Sequence, residues 1–402
     1  MKKNRLQAYG VTLLGALSLI MVMFVFQYFS QDKDQNRMIT VGFVYVGDAS
    51  TGYSNNFAKI QDEIDKKYGK QVKTIGKFNV PDDQAEGALQ ALVDEKCDLI
   101  FTTSYGYGET AKQFAMDYPD IQFCQATCAN ANEEPSVSNY HTFMGHIYEG
   151  RYVSGVAAGM KLKELIEDGK ITKEQAKVGY VAAYPYAEVI SGYTAFILGI
   201  RSVVPEAVMT VRYTYTWDSY HVEKECARKL IEEGCVIISQ HSDTTGPASA
   251  CEETSRSQNI FFVSYNESMR DIAPTTYLTG AKINWEPYIV EAVEAVLNQE
   301  AIEKRIQGIT NGNDAGAGFE QGWVEMLEIN EFVAAKGTDS KVEALINDFK
   351  KNRVHVFYGN YTGRDPVDET DTIDLRQEYH ENERASAPSF HYILDDVIQI
   401  KE

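Results

Sequence analysis

The stretch VGYVAAYPYAEVISGYTAFILGIRS, residues 178–202, sets a short apolar run directly before a longer segment of helical period. The run at 178–183 predicts a buried strand, and the segment at 187–202 predicts a helix. Two further pairs follow in the same order, at 208–216 with 219–233 and at 235–239 with 248–258. This alternation of strand and helix is typical of a parallel sheet with crossover helices on both faces.

A second set of strand and helix pairs precedes that stretch, at 41–47 with 55–68 and at 98–103 with 108–117. After both sets come predicted strands at 260–264 and 277–280 and an amphipathic helix from about Glu286 to Arg305. Between the sets, residues 149–170 combine small residues with charges that exclude a membrane span, which predicts a soluble helix near the boundary of two units. The predicted fold class is therefore α/β, with two parallel sheets that are each flanked by helices.

Length and charge exclude several classes of protein. At roughly 100–200 residues per domain, 402 residues predict two or three domains with ample core volume. The net charge of −20 produces a negative field that would repel nucleic acid and anionic lipid, so a nucleic-acid partner is excluded. Residues 365–384 hold eight acidic and two basic side chains without an apolar period, which predicts a solvated loop.

The N-terminal segment is typical of a membrane anchor. Leu6 to Ser30 are 25 consecutive residues without a formal charge, enough at about 1.5 Å per residue to cross about 30 Å of hydrocarbon. Lys2, Lys3 and Arg5 precede this span, so the positive-inside rule places the rest of the chain outside the cell. A cleaved signal peptide is the alternative, although the exit FVFQYFSQ lacks a small-x-small pattern. We therefore expect residues 1–37 to anchor an extracytoplasmic domain in the plasma membrane by a transmembrane helix.

The cysteines and the missing catalytic motifs argue against an enzyme. The six cysteines lie in apolar contexts such as KCDLIF and GCVIIS, which favours buried free thiols, with one disulfide as the alternative. The nucleophile elbow, the HExxH zinc motif, the P-loop and CxxC are all absent from the sequence. His241 and Asp243 could form an acid–base pair, yet both could equally contact a ligand. We predict a protein that catalyses no reaction and holds no cofactor or metal.

Polar and aromatic side chains follow the predicted strands, where an open α/β sheet binds its ligands. The candidate ligand-binding residues are Asp48, Tyr53, Asn55, Tyr105, Tyr107, Tyr184, Trp217, Asp243, Asn266 and Trp285. Rings beside Asp or Asn at several strand ends suit a flat heteroaromatic ligand that is stacked between rings and hydrogen-bonded at its edge. A sugar is the nearest competing ligand, and core packing is the alternative for any single ring.

Several of these segments together resemble the basic membrane protein family of substrate-binding components of ABC transporters. The resemblance covers about 38–300 and includes VGFVYVGD, CDLIFTTSYGYGE, GHIYEGRYVSGVAAG, EEGCVIISQHSD and INWEPY. It implies a type I periplasmic-binding fold, with lobe one at 38–150 and 265–305 and lobe two at 151–264 and 306–402. It also implies that the chain binds a purine base or nucleoside and passes it to an ABC permease and its ATPase.

Two departures from the family pattern leave the exact ligand open. The chain looks closest to a branch associated with adenine-like ligands, but it reads TGYSN at 51–55 where that branch has a Trp-Thr-Tyr-x-His loop. Asn266 stands where many nucleoside-binding members carry an Asp for the ribose hydroxyls. A ligand sensor that reports to a membrane partner is the second interpretation of the same module.

Overall fold

The computed structural model describes residues 38–401, so the predicted anchor at 1–37 lies outside the described residues. Within the described part, two large sheets are flanked by helices. The strands of the first sheet are β1 (Ile39–Val44), β2 (Val72–Lys77), β3 (Leu99–Thr102), β4 (Gln122–Ala126), β5 (Tyr140–Gly145), β11 (Ile309–Asn311) and β12 (Asp314–Ala317). They lie in the order β11-β12-β5-β4-β3-β1-β2, and every neighbouring pair is parallel except β11 with β12.

The second sheet contains the stretch that predicts the fold. Its strands are β6 (Lys177–Ala182), β7 (Val208–Tyr213), β8 (Ile237–His241), β9 (Phe261–Tyr265), β10 (Tyr277–Ile283), β13 (Val324–Met326) and β17 (Ile398–Lys401). The order is β13-β10-β9-β8-β6-β7-β17, and only the pair of β10 with β13 is antiparallel among them. The predicted α/β class with two mostly parallel sheets is confirmed.

The helices alternate with the strands as expected. They are α1 (Gly52–Tyr68), α2 (Ala85–Asp94), α3 (Gly108–Asp117), α4 (Ile147–Glu167), α5 (Ala187–Arg201), α6 (Tyr220–Glu232), α7 (Gly246–Thr254), α8 (Glu286–Asn298) and α9 (Thr338–Phe349). The prediction of one helix from Glu286 to Arg305 is wrong at its end. Gln299 adopts a left-handed conformation with φ of 58°, which ends α8 before a short 3₁₀ turn at Ile302–Lys304.

Small residues let α4 and α5 pack closely, and α4 connects the two sheets. A Cβ atom at Gly155 would lie 2.1 Å from the carbonyl oxygen of Phe196, and one at Gly199 would lie 2.2 Å from that of Tyr152. No larger side chain fits at either contact, because the neighbouring atom is backbone. The small-residue segment is thus a soluble helix between the two sheets, as the sequence predicts.

Three strands lie in a different sheet from the one that the predicted lobe assignment implies. β10 belongs to the second sheet, whereas 265–305 was assigned to lobe one, because β10 pairs with β9 directly before it. β11 and β12 belong to the first sheet, whereas 306–402 was assigned to lobe two, because β12 pairs in parallel with β5. The wider division of the chain into lobes stays a prediction.

The acidic segment 365–384 is only in part the solvated loop that its composition predicts, since residues 366–370 are exposed but other positions are buried or paired. A small antiparallel sheet includes part of it, with β14 (Thr362–Arg364), β15 (Thr372–Asp374) and β16 (Ile393–Leu394). Leu375 is fully buried, and the Glu381 side chain accepts hydrogen bonds from the hydroxyl of Ser191 at 2.8 Å and from Ser389. These contacts hold the segment against α5, which charge counting could not foresee.

The cysteines are free thiols, as predicted, and five of the six are buried. Burial raises the pKa of Cys97 and of Cys235 to about 12, so both thiols stay protonated at neutral pH. Their role is therefore packing in the core.

Candidate ligand-binding cavity

A cavity of about 40 Å³ lies between the carboxyl ends of the two sheets. In the first sheet β2 lies on one side of β1 and β3 on the other, and β7 and β8 flank β6 in the same way in the second sheet. The strand order therefore reverses at β1 and at β6. Such a reversal opens a crevice at the carboxyl ends of the strands, where α/β sheets bind ligands.

Two walls enclose the cavity. The first-sheet wall consists of Val46, Tyr53, Thr103, Ser104, Tyr105 and Thr127. The second-sheet wall consists of Glu188, Trp217, His241, Asp243, Tyr265 and Asn266. Each wall is therefore built from residues at or after the strand ends.

The polar groups of the first-sheet wall are already hydrogen-bonded within the protein. The hydroxyl of Tyr53 donates to the carbonyl oxygen of Thr103. The Thr103 hydroxyl donates to the carbonyl oxygen of Val44 at 3.0 Å, and the Ser104 hydroxyl donates to Asp82 at 2.7 Å. This wall presents aromatic rings to a ligand, and the hydroxyls of Tyr53, Thr103 and Ser104 are already hydrogen-bonded.

The second-sheet wall holds polar groups that have no partner among the described residues. Both amide atoms of Asn266 are unpaired although the residue is only 2% exposed. Both ring nitrogens of His241 also lack a hydrogen bond, and Nε2 lies 3.5 Å from the Glu188 carboxylate. Since nearly all buried polar groups in proteins are hydrogen-bonded, these groups indicate a site that a ligand completes.

Carboxylates dominate the charge of the cavity. Glu188 and Asp243 line it, and its lining includes no Lys or Arg. Burial, and after it the charge of Glu223, raises the pKa of Asp243 well above its usual range. Burial, and after it the Arg151 guanidinium, lowers the pKa of His241 to about 4, so this ring is uncharged at neutral pH. The cavity therefore presents carboxyl oxygens and an uncharged imidazole to a ligand.

Aromatic rings form the rim of the cavity. Tyr184 and Tyr186 stack with their ring centres 5.1 Å apart, and Trp217 lies 5.4 Å from Tyr184. Tyr105 from the first-sheet wall reaches across to Tyr186, with 5.4 Å between the ring centres. These rings bring the two sides together and exclude water from the polar groups behind them.

Five of the ten candidate residues line the cavity: Tyr53, Tyr105, Trp217, Asp243 and Asn266. Tyr184 lies outside the lining and supports Trp217 from the rim. Position directly after a strand was therefore a useful signal of which residues line the cavity.

The structure does not bring the other four candidates into the cavity. Asp48 instead accepts hydrogen bonds from Ser50 in its own loop and from Asn79 after β2, while the Asn55 side chain bonds that of Glu267. Tyr107 is buried in the first-sheet core, and its hydroxyl donates to Val80. Trp285 is buried too, stacked 4.7 Å from Phe57. Helical turns and core packing direct these four side chains elsewhere, and ligand contact by them stays a prediction.

Sequence reasoning missed Glu188 and Tyr265 in the lining and Arg151 behind it. Glu188 lies in the first turn of α5, and Tyr265 is the last residue of β9, so the strand-end rule could have included both. Arg151 gives no such signal, because a charge in a helix of small residues normally faces solvent.

A cluster of metal-ligating side chains lies elsewhere, in the C-terminal part of the chain. Nε2 of His391 lies 3.4 Å from the carboxylate of Asp371 and 3.5 Å from that of Asp365. None of the three lines the cavity, and exposed acidic groups commonly occur without an ion.

The fold and the cavity together define a solute-binding protein with the periplasmic-binding fold. A solved structure of this class, an ABC transporter solute-binding protein from Aeropyrum pernix K1, superposes with a TM-score of 0.63 at 15% identity. The match covers 78% of this chain and 92% of that one. The family model for ABC transporter substrate-binding proteins of the PnrA-like type, Bmp, matches residues 38–352. The chain belongs to this family, and the predicted resemblance is confirmed.

Two relatives carry names that bear on the ligand. A purine-binding protein of Brucella abortus is 30% identical over 262 residues, which are 65% of this chain and 69% of that protein. A putative ABC transporter glucose-binding protein of Haloferax volcanii is 28% identical over 263 residues, which are 65% of this chain and 62% of that protein. Members of the family bind substrates for transporters and are not enzymes, which confirms the prediction of a protein without catalytic activity.

Substrate-binding proteins of ABC importers work on the extracytoplasmic side of the membrane. Between residues 38 and 401, the structure contains no helix whose length and apolar character would let it cross a bilayer. The predicted span at 6–30 lies outside that range.

Proposed function

We propose that this protein captures a purine base or nucleoside outside the cell and delivers it to an ABC permease and its ATPase. The observation that carries the proposal is the buried, unpaired side-chain amide of Asn266, which lines the same cavity as the carboxyl group of Asp243 and several aromatic rings. An amide donates and accepts, and a carboxylate accepts, which matches the mixed edge of a purine. The purine-binding relative supports the same ligand class.

The rings and the polar groups have separate roles in this proposal. Tyr53, Tyr105 and Trp217 stack on the planar base, while Asp243 and Asn266 form hydrogen bonds with its edge. Tyr184 contributes indirectly, because it supports Trp217 at the rim. Stacking supplies affinity, and the edge contacts supply discrimination, because a ligand without matching donors would leave buried groups unpaired.

The membrane arrangement is part of the same proposal. Residues 6–30 anchor the protein in the plasma membrane, and the lobes on the outer face close over the ligand as in a type I periplasmic-binding protein. The permease and the ATPase belong to other chains, because this sequence contains no P-loop.

Identification of the ligand tests the proposal directly. We would purify the full chain in detergent, release any bound molecule by mild denaturation and identify it by mass spectrometry. Titration calorimetry would then rank adenine, guanine, adenosine, guanosine, riboflavin and glucose. A purine or purine nucleoside should bind most tightly, whereas preference for glucose, in line with the second relative, would reject the purine assignment.

The Asn266→Asp variant sharpens this test. Asn266 has a positive φ of 64°, which Asp tolerates nearly as well as Asn, so the backbone should be preserved. The change replaces the amide donor by an acceptor. It should change the order of affinity for the purines while the melting temperature stays nearly constant. Asn284 serves as the control, since its amide is bonded to Gly322 and Glu325 outside the cavity.

A further inference from the structure

The small C-terminal sheet brings three metal-ligating side chains to one of its ends. β14 pairs antiparallel with β15 on one side and with β16 on the other. Asp365 directly follows β14, Asp371 directly precedes β15, and His391 lies two residues before β16. The backbone N–H of Asp365 donates to the carbonyl oxygen of Asp371 at 3.0 Å, which closes the loop between the two carboxylates. The match to the family model ends at residue 352, so this arrangement lies outside the part of the chain that the family describes.

The imidazole of His391 distinguishes this cluster from an ordinary acidic patch. Its Nδ1 lies 2.8 Å from the carbonyl oxygen of Ser389. Because a carbonyl oxygen only accepts hydrogen bonds, Nδ1 carries the proton, and Nε2 of the neutral ring presents a lone pair. Nε2 lies 3.4 Å from the Asp371 carboxylate and 3.5 Å from that of Asp365. A backbone carbonyl that fixes the ring in this way is typical of histidines that bind metal ions.

The spacing of the ligand atoms fits a zinc ion better than it fits hydrogen bonds. A hydrogen bond between an imidazolium and a carboxylate is about 2.7–2.9 Å long, and the exposed His355 shows such a contact, at 2.8 Å from Glu378. Both distances at His391 exceed that range. Tetrahedral ligands at about 2.0–2.1 Å from zinc lie about 3.3–3.4 Å from one another, which agrees with the spacing at His391. All three ligand atoms lie within 4.8 Å of one another.

Neighbouring groups hold the ligands in place. The hydroxyl of Tyr392 donates to Asp371 at 3.1 Å. The backbone N–H of Val367 donates to Oδ1 of Asp365 at 2.6 Å, while Oδ2 is the oxygen that lies near Nε2 of His391. The ring of His391 also stacks on that of Tyr392, with 4.2 Å between the ring centres. Outer contacts of this kind orient the side chains that bind a metal ion.

We propose that Asp365, Asp371 and His391 form a binding site for a zinc ion, which links the loop at 365–371 to β16. One imidazole nitrogen with two carboxylate oxygens favours Zn²⁺ over Ca²⁺ and Mg²⁺, which prefer oxygen ligands alone. None of the three side chains lines the cavity, so the site does not depend on the proposed function. The sequence predicts no metal, because the third ligand joins the other two only through the pairing of β14 with β16.

Zinc binding to the full chain tests this proposal. Protein that is purified in detergent without a histidine tag and stripped with a chelator is titrated with ZnCl₂ by calorimetry. One zinc ion should bind per chain, and CaCl₂ and MgCl₂ should bind at least about tenfold more weakly. Bound zinc should also raise the melting temperature by several degrees, because it binds only the folded arrangement of the loop. A wild-type chain that binds no zinc overturns the proposal and leaves the cluster as an ion pair.

Variants of single ligands locate the bound zinc. Asp365→Asn and Asp371→Asn keep the side-chain shape and should each weaken zinc binding at least about tenfold, and if one of them does not fold, the other decides. Asp368→Asn is the matched control, since Asp368 is an exposed carboxylate of the same loop outside the three ligands, and it should bind zinc as wild type does. Unchanged zinc binding in a folded ligand variant overturns the proposal.

X-ray absorption at the zinc edge gives the ligand atoms directly. The proposed site should show nitrogen and oxygen at about 2.0–2.2 Å from zinc. Sulfur at about 2.3 Å would place the ion at a cysteine and would also overturn the assignment.

Discussion

The two walls of the cavity differ in how they use their polar groups. On the first-sheet wall, the hydroxyls of Tyr53 and Ser104 donate to a neighbouring carbonyl oxygen and to Asp82, so they are satisfied without a ligand. On the second-sheet wall, the side chains of Asn266 and His241 have no hydrogen-bond partner among the described residues. A buried polar group that has no partner in the protein lowers the affinity for any ligand that leaves it unpaired. A group that is already hydrogen-bonded within the protein hardly distinguishes between ligands. We therefore expect the first wall to shape the cavity and the second wall to select its occupant.

The largest effect should come from Asp243 on the second-sheet wall. Asp243→Ala removes an acceptor for ligand N–H groups and should weaken purine binding by about 1.5–3 kcal/mol, or roughly 10- to 150-fold. Titration calorimetry measures the loss. Asp218→Ala is the matched control, since Asp218 lies on the neighbouring loop, is exposed and lines no part of the cavity. Equal losses in both variants would mean that general negative charge, and not the second-sheet wall, attracts the ligand.

Trp217 tests whether the second-sheet wall also supplies the main stacking surface. Trp217→Ala should lose about 1–3 kcal/mol of binding free energy, by analogy with base–aromatic stacking in nucleic-acid binders, and Trp217→Phe should recover part of it. Fluorescence or calorimetric titration with adenine gives the values. Tyr220→Ala, at an exposed aromatic residue of α6, should bind as wild type does. Wild-type affinity in Trp217→Ala would assign stacking to Tyr53 and Tyr105 of the first-sheet wall.

His241 should make the second-sheet wall sensitive to acid. Its pKa of about 4 in the folded protein lies below the ordinary 6.5, so between these values the unfolded chain binds a proton that the folded chain does not. Stability is therefore lost as the pH falls below 6.5. When the pH falls from 7 to 5.5, the wild type should therefore lose about 1.4 kcal/mol more unfolding free energy than His241→Gln does.

Urea unfolding at the two pH values measures this difference. If the unfolding free energy of His241→Gln changes with pH as much as that of the wild type, the ring is accessible to protons in the folded state.

The sequence predicts the fold better than it predicts the site, for physical reasons. Apolar runs and helical periods in the sequence reflect which residues each strand and helix buries. The order of strands and helices from residue 178 onward is therefore found as predicted. The edge strands of the sheets were harder to predict, because β12 pairs with β5 across about 170 residues and this pairing leaves no local signal in the sequence.

The site was only half predictable because proximity to a strand end does not fix the direction of a side chain. Tyr105 and Tyr107 follow the same strand two residues apart, yet a turn of 3₁₀ helix sends Tyr105 to the cavity and Tyr107 into the core. Arg151 could not be placed behind the cavity from the sequence, since its contact with Tyr265 of β9 exists only in the folded chain.

The smallest effect, and the most direct comparison of the walls, should come from removing one hydroxyl on each. Tyr53→Phe deletes a hydroxyl that donates to Thr103, so it should cost about 0.5–1.5 kcal/mol of unfolding free energy and less than threefold in affinity. Tyr265→Phe deletes a hydroxyl for which the described residues show no hydrogen-bond partner, so it should leave stability nearly unchanged and weaken purine binding severalfold. Both variants keep the ring, which separates hydrogen bonding from stacking. Urea unfolding and calorimetry on the same samples give the two values, and the reverse pattern would assign ligand selection to the first-sheet wall.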